Sequence, residues 1–188
     1  MDTKEWQAEA TPESATPDEP PASQIPSCAD ANPLAAQESV DFYSSIDIDI
    51  SEHTGPTDLT TFNRLSGPLA QAAMRDVDAV QGCQWPLYLA GNQLTQYTAL
   101  LPNDSQTPLI VGLRDSDYVE STAGPALKFE LSLEDPENYR MAGRTTIQQL
   151  FLGDVWITII ETGKSDYAES AVSTLLSLNP HLEAQSTQ

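Results

Sequence analysis

Positive charge is what this chain of 188 residues has least of: 8 Lys and Arg stand against 28 Asp and Glu, a formal net charge of -20. So acidic a surface repels nucleic-acid phosphates and anionic lipid headgroups, which argues against a nucleic-acid partner. The same charge could draw cations or basic partners, but carboxylates also simply keep a surface solvated, and acidity alone names no ligand. Histidine and cysteine number only two each: His53 and His181, Cys28 and Cys83. A zinc site wants four ligands, or three and a water, and there is no Cys-x-x-Cys, so a single Cys28–Cys83 disulfide is the reading that fits. Two unrelated buried thiols are the alternative.

Other absences bear on chemistry and location. The Gly-x-Gly-x-x-Gly, Walker and Gly-x-Ser-x-Gly patterns are missing, so nothing cradles a nucleotide or presents a nucleophile elbow, and no cofactor is expected. A catalytic triad would have to use His53, in a Gly/Pro loop, or His181, behind a helix stop, and neither neighbours a nucleophile in sequence. The chain therefore reads as a non-enzyme. No apolar run approaches the roughly 18 residues that cross a bilayer. Met1-Asp2-Thr3-Lys4-Glu5 lacks the basic and apolar parts of a signal peptide. The protein is then either cytosolic or begins after a removed signal, and we prefer the second.

What is present divides into tail, domain and terminus. Residues 1–27 carry Pro12, Pro17, Pro20, Pro21 and Pro26 among acidic side chains with few aliphatics, and cannot bury enough apolar surface to offset their ordering entropy. They read as a disordered spacer of the kind that separates an anchor from a domain. Residues 28–180 read as one α+β domain, an antiparallel sheet of about five to seven strands packed against a C-terminal helix and N-terminal helices. Residues 181–188 should fray.

Within the domain, Asn32 and Pro33 form a helix start leading to about Tyr43. Ile46-Asp47-Ile48-Asp49-Ile50 alternates strictly and reads as a half-buried strand. Its aspartates, with Asp41 and Glu52, form a candidate cation site, against which stands the absence of a calcium-loop pattern; a solvated strand face is the plainer alternative. Helices follow near 58–65 and 68–76. Strands are expected near 83–90, 94–101, 109–113, 127–133, 145–152 and 155–161, with turns at Gly91-Asn92 and Gly153-Asp154. Pro86 cannot donate to a ladder, so its strand should lie at an edge or carry a bulge there. The apolar stretch Val155–Ile160 should be the central strand, and residues 166–178 a closing amphipathic helix.

Of the scarce cations, Arg140 and Arg144 could join Lys128 or Arg114 in a small anion-binding spot, unless each pairs with a neighbouring carboxylate. Tyr88, Tyr97, Tyr118 and Tyr139 would line a groove if exposed on one face, and pack if not. Trp85, two residues after Cys83 and so on the same strand face, reads with Trp156 as a core anchor.

The Pro/Glu/Ser/Thr tail, Pro26-Ser27-Cys28, Gly82-Cys83-Gln84-Trp85, the strand meander and the closing helix together resemble a family of small secreted, lipid-anchored envelope proteins of actinobacteria, of unknown function. The likeness covers about 26–178. Ile25-Pro26-Ser27-Cys28 departs from a lipobox by its proline, so any anchor would lie on a segment already removed. The resemblance implies an extracytoplasmic, non-catalytic domain that binds an envelope protein or a small ligand on its sheet. The alternatives are a calcium-dependent adhesion module and an accessory or inhibitor of an envelope enzyme.

Overall fold

A computed structural model describes residues 21–51, 53–88, 92–134, 144–162 and 167–185. The fold is of the α+β class, built on one antiparallel sheet of seven strands in the order β1-β2-β3-β7-β6-β5-β4. The strands are β1 (Gly55–Pro56), β2 (Ala79–Pro86), β3 (Gln93–Leu100), β4 (Val119–Ala123), β5 (Ala126–Glu134), β6 (Arg144–Leu152) and β7 (Val155–Thr162). Helices α1 (Pro33–Ser45), α2 (Thr60–Leu65), α3 (Pro68–Ala73), α4 (Asn103–Arg114), α5 (Tyr167–Leu178) and α6 (His181–Gln185) cover it.

As its apolar sequence anticipates, β7 is the central strand, flanked by β3 and β6. Because alternate residues point to opposite faces, a strand that is apolar throughout must be covered twice. One face carries Cys83, Trp85, Leu94, Leu150, Ile157 and Ile159 under α1, α5 and α6. The other carries Tyr97, Phe129, Ile147, Phe151, Trp156 and Ile160 under α2, α3 and α4. The result is three layers. Trp156 is fully buried, stacked on Phe151 and edge-on to Phe62, and its indole N–H is satisfied by Gln149 Oε1 at 2.8 Å.

Several boundaries follow local chemistry. The Asn32 side chain caps α1 by accepting from the Ala35 N–H, with Pro33 at the first helical position. Pro86 ends β2 beyond the two-residue β1, where no second partner needs its missing N–H. Gly82 lets β1 and the Tyr97 ring close on β2: a Cβ there would lie 2.6 Å from the Thr57 carbonyl oxygen and 3.0 Å from the ring. Tyr97 Oη in turn donates to the Asp58 carbonyl at 2.8 Å, fixing the start of α2.

Four expectations need correction. Residues 46–50 are not a strand: Ile46 and Asp47 form a turn, Asp47 has φ 57, and no strand lies alongside. Ile46 and Ile48 are exposed, so the alternation there has no face to bury. Residues 109–113 belong to α4, where Leu109 and Leu113, four apart, share the buried face. A short apolar run fits either period, and Pro108 suggested extended backbone. Third, β2 begins at Ala79, four residues before Cys83, and β4 is a strand that no expectation included. Finally, the C-terminus does not fray at once: Asn179-Pro180 restarts the chain as α6, whose Leu182 is buried in the core.

The end of the expected tail is likewise docked. Ser23 and Pro26 are buried, the Gln24 N–H donates to Asn179 Oδ1, and Asn179 Nδ2 returns a bond to the Gln24 carbonyl. Trp6 and the rest of 1–20 lie outside the described residues, as do Glu52, Arg140, Tyr139, Gly91 and residues 163–166.

Cys28 and Cys83 form a disulfide with their Cα atoms 5.4 Å apart, closing a sequence separation of 55. Closing a loop of that length removes about 4 kcal/mol of unfolded-state entropy, out of a typical total of about 5–15. Reduction should therefore lower the melting temperature by roughly 10 °C, read by calorimetry with and without reductant. An unchanged melt with two titratable thiols in the folded protein would contradict the bond. Gly82→Ala should cost about 1–3 kcal/mol in denaturant unfolding, because neither backbone nor ring can give way freely.

Candidate functional site

The helices do not cover the whole sheet. On the α1/α5/α6 face, α5 reaches the hairpin end of β4–β5, where Val172 stands 3.8 Å from a Cβ placed on Gly124. At the opposite end of the same strands no described helix covers the face. A groove of about 700 Å³ lies there, lined by Asp117, Val119 and Ser121 on one side and by Lys128, Glu130 and Arg144 on the other. The register accounts for this company: Val119 pairs with Glu130 and Ser121 with Lys128, and paired residues share a face.

The groove holds two of the cations singled out from sequence. Lys128 Nζ is 3.1 Å from Glu130 Oε2, a half-buried pair, and the Arg144 guanidinium donates to Ser132 Oγ. Arg114 does not join them. It makes a bidentate pair with Glu120, at 2.8 and 3.0 Å, and Glu120 belongs to the other face of β4. That contact holds the Glu120 carboxyl below the usual carboxylate range. Both partners are exposed, so the pair adds little stability. Three of the four cations thus have neighbours that pair with them, and Arg140 lies outside the described residues.

Of the candidate cation site, Glu52 lies outside the described residues, and the other three carboxylates are engaged or placed locally. Asp41 accepts from Gln37 Nε2 and Asp49 from the Ser51 N–H, each a local bond, while Asp47 sits in the turn. Among the described residues no group of three His, Cys, Asp or Glu side chains is placed to hold a metal ion. Nor do the tyrosines line one face: Tyr97 is buried under α2, whereas Tyr88 bonds toward α1.

A second, smaller concavity of about 350 Å³ lies against the disulfide, between Cys28, Ala36, Val40, Thr54, Pro56 and Trp85. Its walls are mostly apolar side chains.

Two polar clusters escaped the sequence reading because their members are far apart along the chain. Ser23, Asp154 and His181 meet where the N-terminal segment crosses the β6–β7 turn: Ser23 Oγ donates to Asp154 Oδ1, and His181 Nε2 lies 3.3 Å from Ser23 Oγ. The residue types are those of a triad, yet the connectivity differs. The carboxylate and the imidazole both meet the hydroxyl, and no hydrogen bond joins Asp154 to His181 in the manner of a triad. This cluster is a clasp. The second joins α1 to α5: Glu38 Oε2 accepts from Tyr167 Oη at 2.5 Å and from Tyr88 Oη at 3.4 Å.

Burial, reinforced by the Glu38 carboxylate, raises the Tyr167 hydroxyl far above the ordinary tyrosine value. Its proton is held more tightly in the folded than in the unfolded chain, where tyrosine ionises near about pH 10. The stability this contributes is complete below about pH 10 and is lost as pH rises beyond it. Tyr97 and Tyr118 are raised by burial in the same sense. Urea unfolding should show wild type weakening between about pH 10 and 11, and Tyr167→Phe, though about 1–3 kcal/mol less stable at neutral pH, declining less steeply.

The disulfide is consistent with an extracytoplasmic location, where oxidising conditions maintain such bonds. Comparison with family models, with curated proteins and with solved structures finds no match for this chain.

Proposed function

We propose that this chain is a non-catalytic domain of the cell envelope, carried on its N-terminal tail, that binds a protein partner on the bare corner of its sheet. The observation that carries the reading is the groove over β4, β5 and β6, which gathers Lys128 and Arg144 in a chain of formal charge -20. The pairing of each cation with Glu130 or Ser132 limits the groove's appetite for a free anion and suits a surface that also presents apolar groups.

Val119 is such a group, 67 % exposed beside the groove, and Leu133 is another. An apolar patch interrupted by placed charges is the usual composition of a protein contact, with the charges setting specificity. The disulfide supports the envelope setting, since it stabilises a domain that works outside the reducing cytoplasm. Acting as an accessory or inhibitor of an envelope enzyme would be one form of such binding.

The test is capture from envelope extract on immobilised domain, comparing wild type with the double variant Val119→Arg, Ser121→Arg on the groove wall and with Val40→Asp at the smaller pocket. Capture that disappears with the double variant and persists with Val40→Asp supports the groove. Loss with Val40→Asp alone would move the site to the apolar pocket beside the disulfide, and equal capture by all three would overturn both.

A further inference from the structure

The groove ends at β4, the last strand of the sheet among the described residues. There β4 pairs with β5 only, and Val119, Glu120, Ser121 and Thr122 are all exposed. The opposite margin of the sheet is treated differently, because β1 lies along β2, Pro56 offers no N–H, and the Thr57 N–H is used on the Gly82 carbonyl. Edges are ordinarily blunted by proline, lysine, a bulge or a covering segment. The sequence of β4, Val-Glu-Ser-Thr-Ala, contains neither proline nor lysine, and its register with β5 runs without a bulge.

The hairpin fixes which backbone groups face outward. Gly124 and Pro125 form the two-residue turn between the paired residues Ala123 and Ala126, with Gly124 at φ 54. Residues flanking a two-residue turn exchange hydrogen bonds, and the pattern then alternates along an antiparallel pair. Ala123, Ser121 and Val119 therefore bond to β5. Glu120 and Thr122 point their N–H and C=O groups away from the sheet, spaced at the strand repeat.

We infer that β4 is a docking edge at which an extended segment of a partner polypeptide adds as an eighth strand, its alternate side chains entering the groove. This rests on the groove being the binding surface. Only another extended backbone offers donors and acceptors at the spacing that Glu120 and Thr122 present. The side chains define the segment further. Asp117 and Val119 both line the groove at i and i+2, so the partner should carry Lys or Arg two residues from an apolar side chain. The formal charge of -20 favours a basic segment and disfavours a second copy of this chain, whose like charge would oppose approach.

The probe is a synthetic peptide, acetyl-Thr-Lys-Thr-Val-Thr-Lys-Thr-amide, whose Lys, Val and Lys share one face and read alike in either direction. Controls are the same peptide with Glu for Lys, and one N-methylated at alternate residues on its bonding edge. Amide chemical-shift titration of the full chain should show saturable changes at 118–124, and binding should weaken at least about tenfold with the acidic or the methylated peptide. Thr122→Pro removes an outward N–H that β5 does not use, so the hairpin should survive and binding should fall by a similar factor. Glu120→Pro makes the same test if Thr122→Pro does not fold, and the methylated peptide makes it without any variant. Absence of saturable binding, or binding indifferent to methylation and to proline, would overturn the strand-addition proposal. If in that case capture from extract still disappears with Val119→Arg, Ser121→Arg, the groove remains the binding surface and only the added strand is refuted.

Discussion

A central strand that is apolar on both sides governs this structure. β7 places Trp156, Thr158 and Ile160 on one face and Val155, Ile157 and Ile159 on the other, and all are buried. Water must be excluded twice, so helices are required above and below, although an antiparallel sheet can ordinarily leave one face wet. The crossing of α4 answers that need. It leaves β3 near the middle of the sheet and delivers the chain to β4 at the far margin, packing Leu109 and Leu113 over Phe129 and Phe151 on the way. The meander from β4 back to β7 then fills the gap.

Roofing both faces with short helices leaves a corner uncovered. α1, α5 and α6 cover the region around Leu94, Ile157 and Leu152 but stop short of Glu130 and Ser132. The groove is thus a consequence of coverage rather than of a dedicated motif. Its charged side chains can sit there because water still reaches them, whereas the same residues beneath α5 would require buried partners.

The legibility of the chain follows the same division. Patterns of hydrophobicity report burial, and where burial decides, the sequence speaks: Val155–Ile160 marked the central strand, Leu127 to Leu133 the alternation of β5, and Ala168 to Leu175 the stripe of α5. The paired cysteines and the Asn32-Pro33 cap were equally plain, each being short-range chemistry. β4 was silent because four of its five residues face solvent and carry no period to read. The segment at 46–50 failed in the opposite way, showing a period without a surface to bury it. The clasp of Ser23, Asp154 and His181 joins residues more than a hundred positions apart, which no local pattern encodes.

The disulfide has a mechanical meaning beyond stability. A pull applied to the N-terminal segment meets Ser23 and Gln24 first, at the β6–β7 turn and Asn179, and then reaches Cys28. From Cys28 the load passes through sulfur directly into Cys83 on β2. Residues 29–82, with α1, β1, α2 and α3, hang outside that path as an unloaded loop. The turn where the segment crosses and the groove at Arg144 lie at opposite ends of β6, about 25 Å apart over nine residues. A chain tethered by its tail would therefore bear tension across the covered end of its sheet while holding the open corner outward.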